Sequence, residues 1–565
     1  MNNTPSKRWL VAPRLPPEAD RVLHGYPPLL RQILYNRGLA TAEAARHFLE
    51  AQPPVGADPA RLLGVSEAVE RIRSAIHAQE PIAVYGDYDT DGVTATALLV
   101  EALRALGANA RGYIPNRFDE GYGLNNEALD TLRAEGVRLV ITVDCGVRSH
   151  PEAEHASAIG LDLIITDHHQ PTHELPPAVA IINPKQAGDT YPDKDLAGVG
   201  LAYKLACALV QAFPKHGLQP ESWLDLVALG TVADLAPLVG ENRALVKAGL
   251  LRLRRPHRQG VMALIGVSGL KPENINSTDI GFALGPRLNA AGRLDSALAA
   301  YTLLTTSGVA EAAGLAQQLD NQNSERQRIT REIQALAEQQ ALSADPEGVL
   351  LFAADPAFNR GVVGLVASRL TDAYYRPSVV AQIMETHTRG SCRSIPEFHI
   401  TEALDECADL LEHHGGHAAA AGFTVRNENL PELEKRLRTL AAQKLAGAEL
   451  HPTLTADAEI PLSELKPEVL EWLEWLQPTG YGNPQAAFVS RGLRVSEART
   501  VGKDNNHLKL SVSDGKIYFD AIAFRQGHWL EHLPRYIDLL YTFELNEYNG
   551  RAYLQLNVKD IKPAA

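Results

Sequence analysis

The stretch Gly86-Asp87-Tyr88-Asp89-Thr90-Asp91-Gly92 carries a carboxylate at every second position. Crowded like charges are unfavourable unless solvent, a strong base or a cation compensates them. A bound cation is the chemistry this spacing suggests. In extended backbone Asp87, Asp89 and Asp91 would project to one side. The plainer alternative is an acidic turn capping a helix, since Asp suits an N-cap and the positive end of the helix dipole. Two more polar clusters weigh against that alternative. Ile141-Thr142-Val143 runs into Asp144-Cys145-Gly146, and Leu163-Ile164-Ile165-Thr166 runs into Asp167-His168-His169. Carboxylates and imidazoles leaving three such ends describe a metal site.

To bring these groups together, the apolar runs must be neighbouring strands. From about 65 to 185 the sequence alternates helical and extended patterns, with strands expected at 82–85, 110–114, 139–143, 163–166 and 179–182. Such alternation predicts a parallel sheet with helices on its faces. Open sheets of this kind place ligands at the carboxyl ends of their strands, and adjacent strands lie only about 4.8 Å apart.

These residues carry a resemblance. Asp167-His168-His169, the Asp87–Asp91 turn and Val143-Asp144-Cys145-Gly146 resemble the DHH phosphoesterase superfamily, and within it the bacterial single-strand-specific 5'-to-3' exonucleases. A further family motif is an Asp on a later helix, matched by Leu229-Gly230-Thr231-Val232-Ala233-Asp234-Leu235. The resemblance implies Asp89, Asp91, Asp144, His168 and Asp234 as metal ligands, with Asp144 bridging two ions and Asp87 and His169 beside them. Related family II pyrophosphatases use a His where this chain has Tyr85, which leaves open whether Asp87 replaces that ligand. A mostly oxygen ligand set with one or two imidazoles suits Mn2+ or Mg2+. Two such ions about 3.5 to 4 Å apart polarise a phosphodiester and activate water. His169 is a candidate for orienting the scissile phosphate or protonating the leaving group, against a supporting hydrogen-bond role.

Several cations and aromatics could hold a nucleic acid. Arg117 and Tyr122 lie in an expected rim loop, for phosphate contact and base stacking. Arg287, Asn289 and Arg293 sit in a Gly-rich segment that also resembles the exonuclease family, and guanidinium grips phosphate with paired hydrogen bonds. An Arg293–Asp295 pair is the structural alternative for the second arginine. Ser391 and Arg393 have the composition of a terminal-phosphate pocket. His417 belongs to Gly415-Gly416-His417, which resembles the DHHA1 substrate motif, with tight helix packing as the alternative reason for the alanines that follow. If Arg117, Ser391 and Arg393 surround one 5'-phosphate with the metals a nucleotide inward, mononucleotides leave from the 5' end.

The expected architecture is α/β. It comprises an N-terminal extension (1–60), a parallel-sheet DHH catalytic domain (61–308), a connector helix (309–346), an α/β DHHA1 domain (347–447) and a C-terminal antiparallel OB-type β-barrel (448–565). The connector reads as strongly polar in its middle, as a helix bridging two lobes around a nucleic-acid channel does. Asp514-Gly515 and Asn549-Gly550 are hairpin signals within the barrel, whose class commonly holds single strands.

With 565 residues and a net charge of -14, the chain binds no polyanion through a generally basic surface, so a nucleic acid must meet a local groove. Cys145, Cys207, Cys392 and Cys407 form no CxxC pair, which argues against a zinc finger or a disulfide framework and fits a reducing cytoplasm. Lacking an apolar leader or an 18-residue apolar run, the sequence predicts neither secretion nor membrane insertion. The expected function is a 5'-to-3' exonuclease on single-stranded DNA, releasing 5'-mononucleotides in recombination and repair. Single-stranded-DNA-binding protein and repair helicases are its expected partners. The alternatives are a DHH phosphoesterase of nanoRNA or cyclic dinucleotides, and a non-catalytic DNA-binding scaffold.

Overall fold

The computed structural model describes residues 6–121, 123–502, 504–548 and 551–564. Two compact units emerge, one formed by Met1–Trp9 and Asn321–Leu454, the other by Leu10–Asp320 and Thr455–Ala565.

The second unit holds the parallel sheet. Its order is Ala110–Tyr113, Ile82–Gly86, Leu139–Val143, Asp162–Thr166, Ala180–Ile182, and every adjacent pair is parallel. The central strands Ile82–Gly86 and Leu139–Val143 are buried along their whole length, as helices on both faces require. Helix Thr90–Ala105 is buried almost throughout its first fourteen residues, and packs against helices Gly198–Ala212 and Leu224–Ala233. Register matters most for function. Gly86 pairs with Val143, and Val143 with Thr166, so three strands end at one level.

The same unit contains the barrel. Strands Phe488–Val501, His507–Ser513, Tyr518–Ala523, Arg551–Pro563 and Tyr536–Tyr548 pair in that order, and Phe488–Val501 also pairs with Tyr536–Tyr548, closing the ring. Closure removes the sheet edges. Its ladders are antiparallel except between Tyr518–Ala523 and Arg551–Pro563, which run parallel. Asp514-Gly515 turns between strands as its sequence suggests, whereas Asn549-Gly550 lies outside the described residues. The early helices Pro28–Asn36 and Ala42–Glu50 contribute Leu30, Ile33, Leu34 and Ala45 to the barrel's own core.

The first unit is built on a mixed sheet ordered Leu411–His417, Ala420–Arg426, His387–Arg393, Ser378–Ile383, Leu351–Asp355, with only the last pair parallel. The Gly-Gly-His segment is therefore the end of a β-hairpin strand, and the alanines after it continue the hairpin. The tight helix packing offered for them does not occur. Helix Val309–Ala344 runs for 36 residues. Its early residues Ala312, Ala316 and Leu319 enter the core of one unit and its late residues Ile333, Ala337 and Ala341 that of the other, the three- and four-residue spacings keeping each set on one face. Among the described residues, no helix is long and apolar enough to cross a membrane.

Candidate metal centre

The aligned strand ends deliver the polar clusters to one place. After Gly86 the chain turns sharply, and a Cβ on Gly92 would lie 2.5 Å from the backbone N and O of Asp87, so only glycine lets the helix start so close to the strand. Asp89 caps that helix, its Oδ1 accepting from Asp91 N at 2.9 Å and Gly92 N at 3.1 Å. Capping and metal binding are thus not exclusive, because only one oxygen is used. Asp91 is fully buried and accepts from Gly198 N at 2.7 Å and Val199 N at 2.8 Å, at the start of helix Gly198–Ala212. Positive charge at that helix end favours the carboxylate.

Asp144 follows its strand with φ +62°. Left-handed backbone at a residue other than glycine costs about 1 to 3 kcal/mol and concentrates at functional sites. Asp167 completes the frame in a role that the sequence reading left unassigned. Its buried carboxylate accepts from Val147 N at 2.9 Å, His169 N at 3.0 Å and His169 Nδ1 at 2.7 Å, tying the Asp144 turn to the histidines. Lys185 Nζ donates to His168 O at 2.8 Å, and Asn183 Nδ2 to His169 O at 2.8 Å.

Three overlapping groups result, Asp87–Asp89–Asp144, Asp91–His168–Asp234 and Asp144–His168–His169, with the ligand atoms of each within 4.8 Å of one another. His168 Nε2 lies 3.1 Å from Asp144 Oδ1, 3.8 Å from Asp234 Oδ2 and 4.0 Å from Asp91 Oδ2. It is buried without a hydrogen-bond partner, as is Asp87 Oδ1. Burial, then Asp89, pushes Asp91 up to about 7; burial, then Asp91 and Asp89, pushes Asp234 up to about 9. Asp87 and Asp144 rise well above the carboxylate range for the same reasons, burial first. Burial and the neighbouring His169 lower His168 to about 3, so its imidazole is neutral and suited to ligation. His169 behaves oppositely: burial disfavours its charge, but the bond to Asp167 and the carboxylates beyond outweigh this and raise it. Crowded carboxylates, a neutral imidazole and partnerless buried atoms fit a hard divalent cation.

The six predicted metal ligands, and His169 beside them, therefore meet in one cluster. Tyr85 does not join them. Its fully buried ring stacks on Tyr113 at 5.1 Å, its hydroxyl donates to Gly123 O at 2.9 Å, and it accepts from Asn125 Nδ2 at 3.1 Å. Tyr85 thus props the loop after Tyr113, while Asp87 lies within the cluster.

Among the substrate candidates, the Arg117 guanidinium lies 5.0 Å from the centre of the Tyr88 ring, within the Asp87–Asp91 turn. Tyr122 lies outside the described residues. Arg287 is held by Asp320 at 2.8 Å and by Ala283 O at 2.8 Å. Asn289 Oδ1 accepts from Thr90 N at 2.8 Å, and a Cβ on Gly292 would meet Tyr88 O at 2.6 Å, so helix Gly285–Leu294 braces the ligand turn. That bracing explains the glycines without phosphate. Arg293 lies near enough to Tyr88 for its charge to oppose the rise of that phenol's pKa, which burial and Asp87 push to about 12. Ser391, Arg393 and His417 belong to the first unit. Arg393 Nη1 donates to Ser391 Oγ at 3.1 Å, and Arg393 and His417 share a row of the sheet across Ala420.

The fold and this cluster define a DHH phosphoesterase with a divalent-metal centre. Residues 81–231 match the DHH family N-terminal domain, 347–443 the DHHA1 domain and 456–560 the RecJ OB domain. The chain is 40% identical to the Bacillus subtilis single-stranded-DNA-specific exonuclease RecJ over 541 residues, covering 94% of this chain and 68% of that protein. Crystal structures of Thermus thermophilus RecJ with Mn2+ and with Mg2+ superpose with TM-scores of 0.85 and 0.79, at 32% and 31% identity. Each match covers 99% of this chain, and 80% and 79% of theirs. This chain belongs to the RecJ family.

Proposed function

We propose that the chain is a metal-dependent exonuclease that degrades single-stranded DNA from the 5' end and releases 5'-mononucleotides. The observation that carries this reading is the convergence of Asp87, Asp89, Asp91, Asp144, His168, His169 and Asp234 at aligned strand ends of a buried sheet. Asp89, Asp91, Asp144, His168 and Asp234 would hold two Mn2+ or Mg2+ ions, with Asp87 as a further ligand in the absence of an imidazole at Tyr85. Bound there, the ions supply Lewis-acid polarisation of the phosphodiester and a lowered pKa for water. His169, oriented through Nδ1 by Asp167, steadies the scissile phosphate or delivers a proton to the leaving oxygen from Nε2.

Arg117 and Arg293 neutralise phosphates near the Asp87–Asp91 turn, and Tyr122 stacks a base. Arg287 and Asn289 serve substrate through the positioning contacts described above. Ser391, Arg393 and His417 form a phosphate-binding face, on which the facing pair Gly415 and Gly422 places no side chain. Single-stranded-DNA-binding protein and repair helicases are the proposed partners, recombination and repair the proposed role, and the cytoplasm the proposed location. A match to RecJ relatives over nearly the whole chain, barrel included, supports this reading over a dinucleotide hydrolase, which needs no barrel.

The test is digestion with Mn2+ of a long single strand labelled separately at each end, beside duplex and a dinucleotide. Early release of 5'-labelled mononucleotide with duplex spared is expected. Cleavage confined to the dinucleotide, or binding without cleavage, would replace this reading.

A further inference from the structure

Two packed segments beside the metal centre break local rules in the same direction. Helix Leu224–Ala233 gives way to Asp234, and the next residue, Leu235, has φ +61° and is 68% exposed. Left-handed backbone after a helix is usually glycine or asparagine, and leucine there bears strain with little burial to offset it. The second segment, Ile280–Leu284, is a π-helical turn in which Gly285 N donates to Ile280 O. Such turns recur at functional sites. Ile280 and Leu284 are fully buried, but Phe282 is 84% exposed, where a polar residue would be expected.

The two segments touch. A Cβ on Gly285 would lie 3.2 Å from Ala233 Cβ, and one on Gly281 would lie 4.0 Å from Val232 Cγ1. Leu235 and Phe282 thus reach solvent from adjoining backbone segments next to the helix end that presents Asp234. A single exposed apolar residue needs no explanation. Two beside a metal ligand, one in strained backbone and one on an inserted turn, call for an occupant.

We propose that Phe282 and Leu235 form an apolar step that receives one unpaired nucleobase of the strand being cut, which rests on the exonuclease reading above. A phenyl face stacks on any base whatever its sequence, and leucine supplies the second apolar surface. The step continues the metal centre, so the base it holds belongs to a nucleotide next to the scissile phosphate. In a duplex, base faces are covered by stacking and the bases are held in place by pairing, so the step engages only single strands and adds to the discrimination against duplex.

The test compares the unaltered chain with Phe282→Ala, Phe282→Trp and Leu235→Gly, on single strands with intact bases or abasic sites near the 5' end. A strand carrying 2-aminopurine there reports stacking by fluorescence with Ca2+ in place of Mn2+. Phe282→Ala should raise KM on the intact strand about tenfold, the size expected of one stacked base, with a smaller change in kcat, and should abolish the quenching. Phe282→Trp should restore both. Leu235→Gly should raise KM while leaving Tm the same or higher, because glycine relieves the left-handed strain. The unaltered chain should lose as much on abasic strands as Phe282→Ala loses on intact ones, with little further loss when the two are combined. Equal loss on intact and abasic strands, or unchanged KM and quenching in Phe282→Ala, would overturn the step and mark Phe282 as a contact for another protein. If the unaltered chain quenched 2-aminopurine but never cut with Mn2+, the exonuclease reading would fall while base binding stood.

Discussion

Two buried charged sites in the same unit solve opposite problems. At Arg243, 1% exposed, all five guanidinium N–H groups have acceptors: Phe48 O, Leu476 O, Pro478 O, Trp475 O and Gln477 O, between 2.8 and 3.2 Å. The Phe48 ring covers its face at 3.9 Å. Arg243 gathers an early helix, helix Gly240–Leu253 and the segment leading to the barrel around one group. At the metal centre the balance is reversed, with carboxylates crowding together and few donors among them. A buried charge with every partner supplied stabilises a fold, whereas buried charges that repel one another are kept for a ligand.

The comparison breaks most sharply at Asp144. Asp144→Ala should reduce cleavage on the order of a thousandfold, since metal catalysis contributes several kcal/mol, while gel-shift binding of single strands persists. Retained cleavage would remove Asp144 as the shared ligand. In metal chelator, Asp144→Asn should melt no lower than the unaltered chain, because it relieves repulsion. Arg243→Ala should do the reverse, lowering stability by about 3 to 5 kcal/mol in denaturant unfolding by orphaning five carbonyls. Arg243→Lys should recover little, since an ammonium cannot reproduce the planar fork, and a full recovery would show that charge alone suffices.

Intermediate effects should fall on the supports. Asp167→Asn should cut kcat by about 10- to 100-fold, as for loss of groups that orient metal ligands, and should lower the affinity for Mn2+ measured calorimetrically. Adding Mn2+ at 100 times its Kd should stabilise the unaltered chain by about 2.7 kcal/mol, seen as a rise in Tm that Asp144→Ala diminishes. An equal rise in both would place the ion elsewhere. The smallest change should be Tyr85→Phe, which loses hydrogen bonds contributing about 1 kcal/mol and should leave cleavage within a few-fold, since Tyr85 faces the loop and not the metals.

Much of the sheet and the cluster could be read locally. Ile82–Gly86, Leu139–Val143 and Asp162–Thr166 are apolar runs ended by Asp or Gly, and each announces both a strand and its polar end. Supporting roles were not local. Asn289 and Arg287 read as phosphate ligands because their partners, Thr90 and Asp320, lie 199 and 33 residues away. Asp167 passed without a role because its acceptors' partners include Val147, on the neighbouring turn. Nothing in residues 28–50 signals that they complete the core of a barrel more than 400 residues later.

The sequence by itself determined which chemistry is available, because carboxylate and imidazole identity and the apolar runs before them are properties of short stretches. Tertiary structure alone decided which of those groups meet in one cluster, which arginines are already paired within the fold, and that Tyr85 turns away while Asp87 remains. These outcomes depend on strand register and on donors brought from distant segments, and burial that strips solvent from the carboxylates exists only once the sheet is covered.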